Sequence, residues 1–223
     1  MQIIEKALSE GRTVLSEYES KKLLQAYRIP ITAEALIQSR DELPGAAASI
    51  GYPLVLKGCS PEISHKTERG LVRLDIRSEQ EALSAFDEIA AAMNSGSAAV
   101  LVQEMVKGSR ELMAGLTRDP QFGPCVMFGL GGIFTEILED VSFRLAPLEK
   151  RDALEMMREI KGHKVLGAVR GMEPVDLDAL AEILINVGRI GLENERVKEI
   201  DVNPLIIKGR SPLAVDALVA LSP

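Results

Sequence analysis

Three times in the first part of the chain a serine is followed three positions later by a glutamate: Ser16 and Glu19, Ser39 and Glu42, Ser78 and Glu81. In such a pair the hydroxyl accepts an N–H at the head of a helix and the glutamate reaches back to the serine N–H, so each pair marks a helix start. Helices are expected over 16–27, stopped by Pro30, over 39–50 and over 82–93. Short apolar runs lie between and beyond them, at 31–37, 53–57, 71–76 and 100–106. This alternation predicts one α+β lobe over about 16–105.

A second block follows. Runs at 111–117, 125–128, 133–139 and 141–146 are split by Gly, Pro and Asp, the spacing of an antiparallel meander. Residues 149–160 and 176–192 have helical periodicity, and 197–208 with 213–218 read as a closing hairpin around 209–212. Residues 106–223, with the N-terminal segment, make the larger lobe. No linker or repeat separates the two, so the whole chain reads as one domain.

Composition narrows the function. The 223 residues are 46% hydrophobic but only 4% aromatic, with no Trp, so the core is aliphatic. The formal charge is −7, and there is neither a basic block nor an aromatic ladder, which excludes nucleic acid as the main partner but not a nucleotide ligand. Cys59 and Cys125 lie far apart without a CxxC and read as reduced thiols in a cytoplasmic protein. The start has no signal-peptide pattern, and no apolar run approaches the ~18 residues of a membrane span.

Several groups could carry chemistry, each beside a plainer reading. Lys57 ends an apolar strand and could hold a phosphate as a point charge, or reach solvent along its stem. The strand end at Glu104, Met105 and Val106 leads to Lys107-Gly108, a natural hinge; its backbone could meet an adenine edge, and Glu104 or Glu111 a ribose hydroxyl. Phe128-Gly129-Leu130-Gly131-Gly132 fits neither the Rossmann nor the P-loop pattern; it is a phosphate-approaching turn or simply a tight one, with Glu136 close behind.

In a strand, Glu199, Asp201 and Asn203 share one face, and so do Ala214 and Asp216. Carboxylates plus an amide oxygen gathered there suit Mg²⁺, which keeps waters and shares ligands with phosphates; the plain reading is a solvated hairpin face. His163 sits in a basic loop and reads as a surface histidine. His65, in the polar loop Ser60-Pro-Glu-Ile-Ser-His65-Lys, is not a core histidine; it is either an exposed loop residue or a covalent phosphoryl carrier.

Taken in order, Tyr52-Pro-Leu-Val-Leu-Lys57, the His65 loop, Val102-Gln-Glu-Met-Val106, Phe122-Gly-Pro, Gly129-Leu-Gly-Gly132, Arg144-Leu-Ala-Pro and Glu199-Ile-Asp-Val-Asn203-Pro-Leu resemble the ATP-grasp subunit of NDP-forming acyl-CoA synthetases, relatives of succinyl-CoA synthetase. The likeness runs from about Leu15 to Leu218.

The resemblance implies an ATP-grasp fold, two α/β lobes with ATP or ADP between them. It implies that Lys57 contacts phosphates, that Glu104, Met105 and Val106 form the adenine hinge, and that Glu111 lies near the ribose. Gly129, Gly131 and Gly132 match a glycine turn facing the cleft. Asn203 and Asp216 match Mg²⁺ ligands, Asp201 an acidic residue near a phosphohistidine, and His65 the histidine that is itself phosphorylated. Gly70 is followed by Leu71 where many members carry a glycine pair. The family's CoA-binding domain is absent, which implies a CoA-binding α subunit as partner, in an expected α2β2 assembly.

The expected activity is that of an ADP-forming acid–thiol ligase β subunit. Two alternatives stand beside it. One is an ATP-grasp ligase that forms an acyl phosphate directly, with no phosphohistidine. The other is a nucleotide-sensing module without chemistry.

Overall fold

The computed structural model describes residues 2–61, 70–93, 99–132, 140–169 and 171–223. The chain divides into two compact units: 1–15, 19–31 and 107–223 form the larger, 16–18 and 32–106 the smaller.

In the smaller unit, β1 (Glu34–Ile37), β2 (Leu54–Gly58), β3 (Val72–Ile76) and β4 (Val100–Glu104) form an antiparallel sheet in the order β1-β4-β2-β3. Helices α3 (Leu43–Ile50) and α4 (Glu79–Met93) join Leu54, Leu56, Val100 and Val102 in one apolar core with Leu43, Ala82, Phe86 and Ile89. Strand alternation therefore turns Val55 and Lys57 to the other face.

Two helix starts differ from the expected boxes. Glu42 accepts from the Ser39 hydroxyl at 2.8 Å, residues 40–42 make a 3-10 turn, and α3 begins only at Leu43, with a proline in its first turn. At α4 the Ser78 hydroxyl does take the Glu81 N–H, at 3.2 Å, while Glu81 reaches one residue further back, to the Arg77 N–H at 2.7 Å.

In the larger unit, β5 (Glu111–Asp119), β6 (Gly123–Leu130) and β7 (Val141–Leu145) form the expected meander, and the sheet runs β10-β8-β5-β6-β7. The twelve-residue β8 (Val197–Lys208) pairs with β5 along one side and, on the other, with β9 (Ser211–Ala214) and β10 (Leu218–Leu221) in succession. The expected single strand over 213–218 is thus interrupted at 215–217. Helices α5 (Lys150–Glu159) and α6 (Leu177–Glu193) cover one sheet face, where Leu116, Val126, Phe128, Ile200 and Val202 meet Met156, Leu180 and Val187.

An N-terminal helix α1 (Gln2–Ser9) buries Ile4 and Ala7 in the same core, although its short amphipathic pattern gave no expectation of a helix. Helix α2 (Glu17–Ala26) falls within the stretch expected to form the smaller lobe. Leu23, Leu24 and Tyr27 instead pack in the larger core, so 19–31 goes with the larger unit. Both oxygens of Glu19 accept from the Arg12 guanidinium, at 2.8 and 2.9 Å. The strand expected over 133–139, with Glu136, lies outside the described residues.

Candidate active site

On β2, Lys57 is buried and its ammonium meets the Glu17 carboxylate at 2.7 Å. Glu17, at the first position of α2, is buried as well. A lysine in such a place does not reach out along its stem to solvent. It is held inside, charged against a carboxylate, near the end of an apolar strand. At the far end of β4 the hinge backbone is partly committed. The Glu104 N–H donates to the Ala33 carbonyl and the Met105 N–H to Pro53, at 2.9 and 3.0 Å, and the Glu104 carboxylate accepts the Ala33 N–H at 2.9 Å. Of the residues expected to meet an adenine edge, Glu104 and Met105 thus have their N–H groups taken by the protein's own backbone.

In the larger unit the alternation of β8 buries Ile200 and Val202 against the helices and turns Glu199, Asp201 and Asn203 to the opposite face. Asp201 stands across from Gly115 on β5 and from Leu218 on β10. One of its oxygens is buried with no hydrogen-bond donor among the described residues. Burial, and then the charges of Glu199 and Asp216, push its carboxyl up to about 6. The β9 and β10 ladders against β8 share one register, so the interruption between them sets Asp216 across from Asn203. Asp216 is not in a strand, contrary to expectation; its Oδ1 accepts the Ala217 N–H at 2.8 Å.

The glycine turn joins this group. The Gly132 N–H points at Asn203 Oδ1, 3.4 Å away, and Gly131 donates to the Glu111 carbonyl at 2.8 Å. A side chain on Gly131 would lie 2.5 Å from the Leu112 carbonyl oxygen, and one on Gly132 (φ 63°) would strike the Glu111 carboxylate. Glu111, Gly131, Gly132, Asn203 and Asp216 are thus one neighbourhood. Gly129 is explained otherwise: a Cβ there would stand 2.7 Å from the Asp140 carbonyl oxygen, so strand pairing with β7 already demands a glycine.

A family model described as the ATP-grasp domain matches residues 6–221. The chain belongs to the ATP-grasp family. This ATP-grasp chain is 46% identical over 225 residues to the β subunit of acetate–CoA ligase [ADP-forming] I of Pyrococcus furiosus, covering 99% of the chain and 97% of that subunit. The structure of "dinucleotide forming Acetyl-coenzyme A synthetase 1" of Ca. Korarchaeum cryptofilum, in complex with coenzyme A, Ca-AMPCP and HgCl+, matches with a TM-score of 0.94 at 44% identity and 99% coverage of both chains. A second structure of that protein, with coenzyme A and Mg-AMPPCP and its phosphohistidine segment pointing towards the nucleotide binding site, matches at 0.89, again at 44% identity and 99% coverage of both. Within the family the chain stands with the β subunits of ADP-forming acyl-CoA synthetases, acid–thiol ligases that bind nucleotide and work with ATP or ADP and Mg²⁺.

The residues of the ATP-grasp site fit a magnesium ion. No group of three or more His, Cys, Asp or Glu side chains placed for a metal is found among the described residues. Mg²⁺ needs no such group: one or two protein ligands suffice when waters and substrate phosphates complete the octahedron. Asn203 and Asp216 would supply an amide and a carboxylate oxygen. Asp201, two residues from Asn203 on the same strand face, adds a buried carboxylate oxygen that has no donor among the described residues.

His65 falls outside the described residues. His163 is exposed, with Nδ1 3.1 Å from the Ile160 carbonyl, in keeping with a surface role. Two charged residues of α2 escaped the sequence reading: Glu17, on Lys57, and Lys21, whose ammonium donates to the Val215 carbonyl at 3.3 Å. The signal was present. Positions 17, 20, 21 and 24 fall on one helical face, and three of the four are polar while the whole face is buried. A polar group on a core face marks a residue retained for something other than packing.

Proposed function

We propose that this chain is the nucleotide-handling β subunit of a two-chain ADP-forming acyl-CoA synthetase. It moves a phosphoryl group between a histidine carrier and ADP, in the overall reaction acyl-CoA + ADP + phosphate ⇌ carboxylic acid + CoA + ATP. A CoA-binding α subunit makes the acyl phosphate and passes the phosphoryl group to a histidine of its own. His65 collects it. A terminal oxygen of ADP then attacks phosphorus, the P–N bond to the imidazole breaks, and the ring nitrogen recovers its electron pair. The assembly is α2β2 and cytoplasmic.

What carries this reading is Asp201. A buried carboxylate oxygen with no donor among the described residues, two residues from Asn203 on the same strand face, suits the N–H of a phosphohistidine ring, which it would orient. Lys57 brings an ammonium to the phosphates. Asn203 and Asp216 would hold Mg²⁺, which when bound neutralises charge on the phosphates. Glu111 and the Gly131–Gly132 turn shape the nucleotide side of the same neighbourhood.

The test is labelling with γ-³²P-ATP and Mg²⁺, with and without the α subunit. An acid-labile, base-stable label on the chain, lost in His65→Ala together with ATP synthesis by the complex, is the expected result. Undiminished ATP synthesis by the His65→Ala complex would overturn the relay.

A further inference from the structure

Lys21 heads the largest fully buried side chains among the described residues, with 0% of its surface exposed. An ammonium taken out of water is unfavourable unless its donors are used well, so a core lysine calls for a reason beyond filling space. Its ammonium donates to the carbonyl of Val215 at 3.3 Å. Val215 opens the short interruption between β9 and β10, where the ladder to β8 lapses.

The same segment is tied at two further points. The Val215 N–H donates to the carbonyl of Pro204, the residue after Asn203, at 3.1 Å, and the Ala217 N–H donates to Asp216 Oδ1 at 2.8 Å. Asp216 therefore sits in a loop whose backbone is fixed from β8 on one side and from a buried cation on the other. A charge-assisted bond is the stronger of the two kinds, and it is made to the carbonyl of the peptide that leads into Asp216.

We infer that Lys21 is a positioning residue for the divalent-cation site: by holding the Val215 carbonyl it sets where the Asp216 carboxylate stands with respect to Asn203. The inference rests on the reading of Asn203 and Asp216 as the cation's ligands. Lys21 acts here through the Val215 peptide group. Methionine in its place would fill nearly the same volume but offer the carbonyl nothing.

The experiment is calorimetric titration of the full chain with ADP, once with Mg²⁺ and once with EDTA. The ratio of the two affinities reports the metal's share of binding. Lys21→Met is expected to lower that ratio about tenfold and to leave metal-free ADP binding unchanged. Lys21→Gln, whose amide is one bond too short, is expected to lower it at least about threefold, and it serves if the methionine variant does not fold. Leu24→Ala, one turn along the same buried face, should destabilise the chain and leave the ratio at its wild-type value. A wild-type ratio in either folded Lys21 variant, or an equal fall in Leu24→Ala, overturns the inference. Asp216→Asn separates the two levels: if it too keeps the wild-type ratio, the assignment of the metal ligands has failed, not the role of Lys21.

Discussion

The ammonium of Lys57 lies 2.7 Å from a carboxylate oxygen of Glu17, with 8% and 1% of the two side chains exposed. Breaking a buried pair from one side leaves an uncompensated charge, so Glu17→Ala should lower unfolding stability by about 3–5 kcal/mol in urea titration. Replacing both partners, Glu17→Leu with Lys57→Met, should recover stability to within about 1 kcal/mol of wild type. That double variant should still bind ADP about tenfold more weakly, since the phosphates lose a charged donor. Wild-type ADP affinity in the double variant would remove Lys57 from the nucleotide site.

Asp201 makes a pH prediction whose sign is unambiguous. Its folded-state value is raised, from 3.8 to about 6, chiefly by burial. A carboxyl that holds its proton more tightly when folded favours the fold below its unfolded value and loses that contribution as pH rises through the folded value. The loss at neutral pH is about 3 kcal/mol. In EDTA, Asp201→Asn should therefore be more stable than wild type at about pH 7.5, and the advantage should fade below about pH 4. Melting curves of the two proteins across that range check it. Equal melting temperatures throughout would mean that the carboxyl is solvated.

A methyl at residue 131 would press on the Leu112 carbonyl oxygen, which is backbone and cannot swing aside. Gly131→Ala is expected to cost about 1–3 kcal/mol of stability, in the manner of an overpacked site. It should also weaken Mg²⁺-dependent ADP binding, because the turn carries the Gly132 N–H that faces Asn203. Calorimetry of the variant with ADP and Mg²⁺ reads the second effect apart from the first.

Asp140 is buried, and its two oxygens accept the backbone N–H groups of Lys161 and Gly162, each at 2.6 Å. Asp140→Ala removes two charge-assisted acceptors at once. Hydrogen exchange at those two amides should speed up by at least about tenfold, as expected for losing a hydrogen bond to a charged group. Exchange in β8 should hardly change. Unaltered rates at 161 and 162 would mean that other contacts hold the loop.

The legible parts of this chain were those fixed by short-range pattern. The alternation of Ile200 and Val202 with Glu199, Asp201 and Asn203 is enough to give both the strand and its polar face. The meander over β5 to β7 followed from the spacing of its breakers. The interruption at 215–217 was not legible, because Ala214 and Leu218 lie in one register against β8 and a single aspartate between them, Asp216, is a weak turn signal. The pairing of Glu17 with Lys57 was equally hidden: forty residues separate them, and only tertiary packing brings them together. Strand β4 ends two residues early: the Met105 N–H still bonds the carbonyl of Pro53, next in register, but a proline has no N–H to return.

One strand, β8, gives alternate residues to the core and to the opposite, polar face, and it is gripped by β5, β9 and β10. Its phase is thereby locked. A single residue inserted or deleted between Glu199 and Asn203 would put carboxylates among the leucines and isoleucines of the core and lift Ile200 or Val202 into the site. Substitution can vary this stretch, but a change of length cannot. Among descendants of such a chain, the interval from Glu199 to Asn203 should be a fixed ruler.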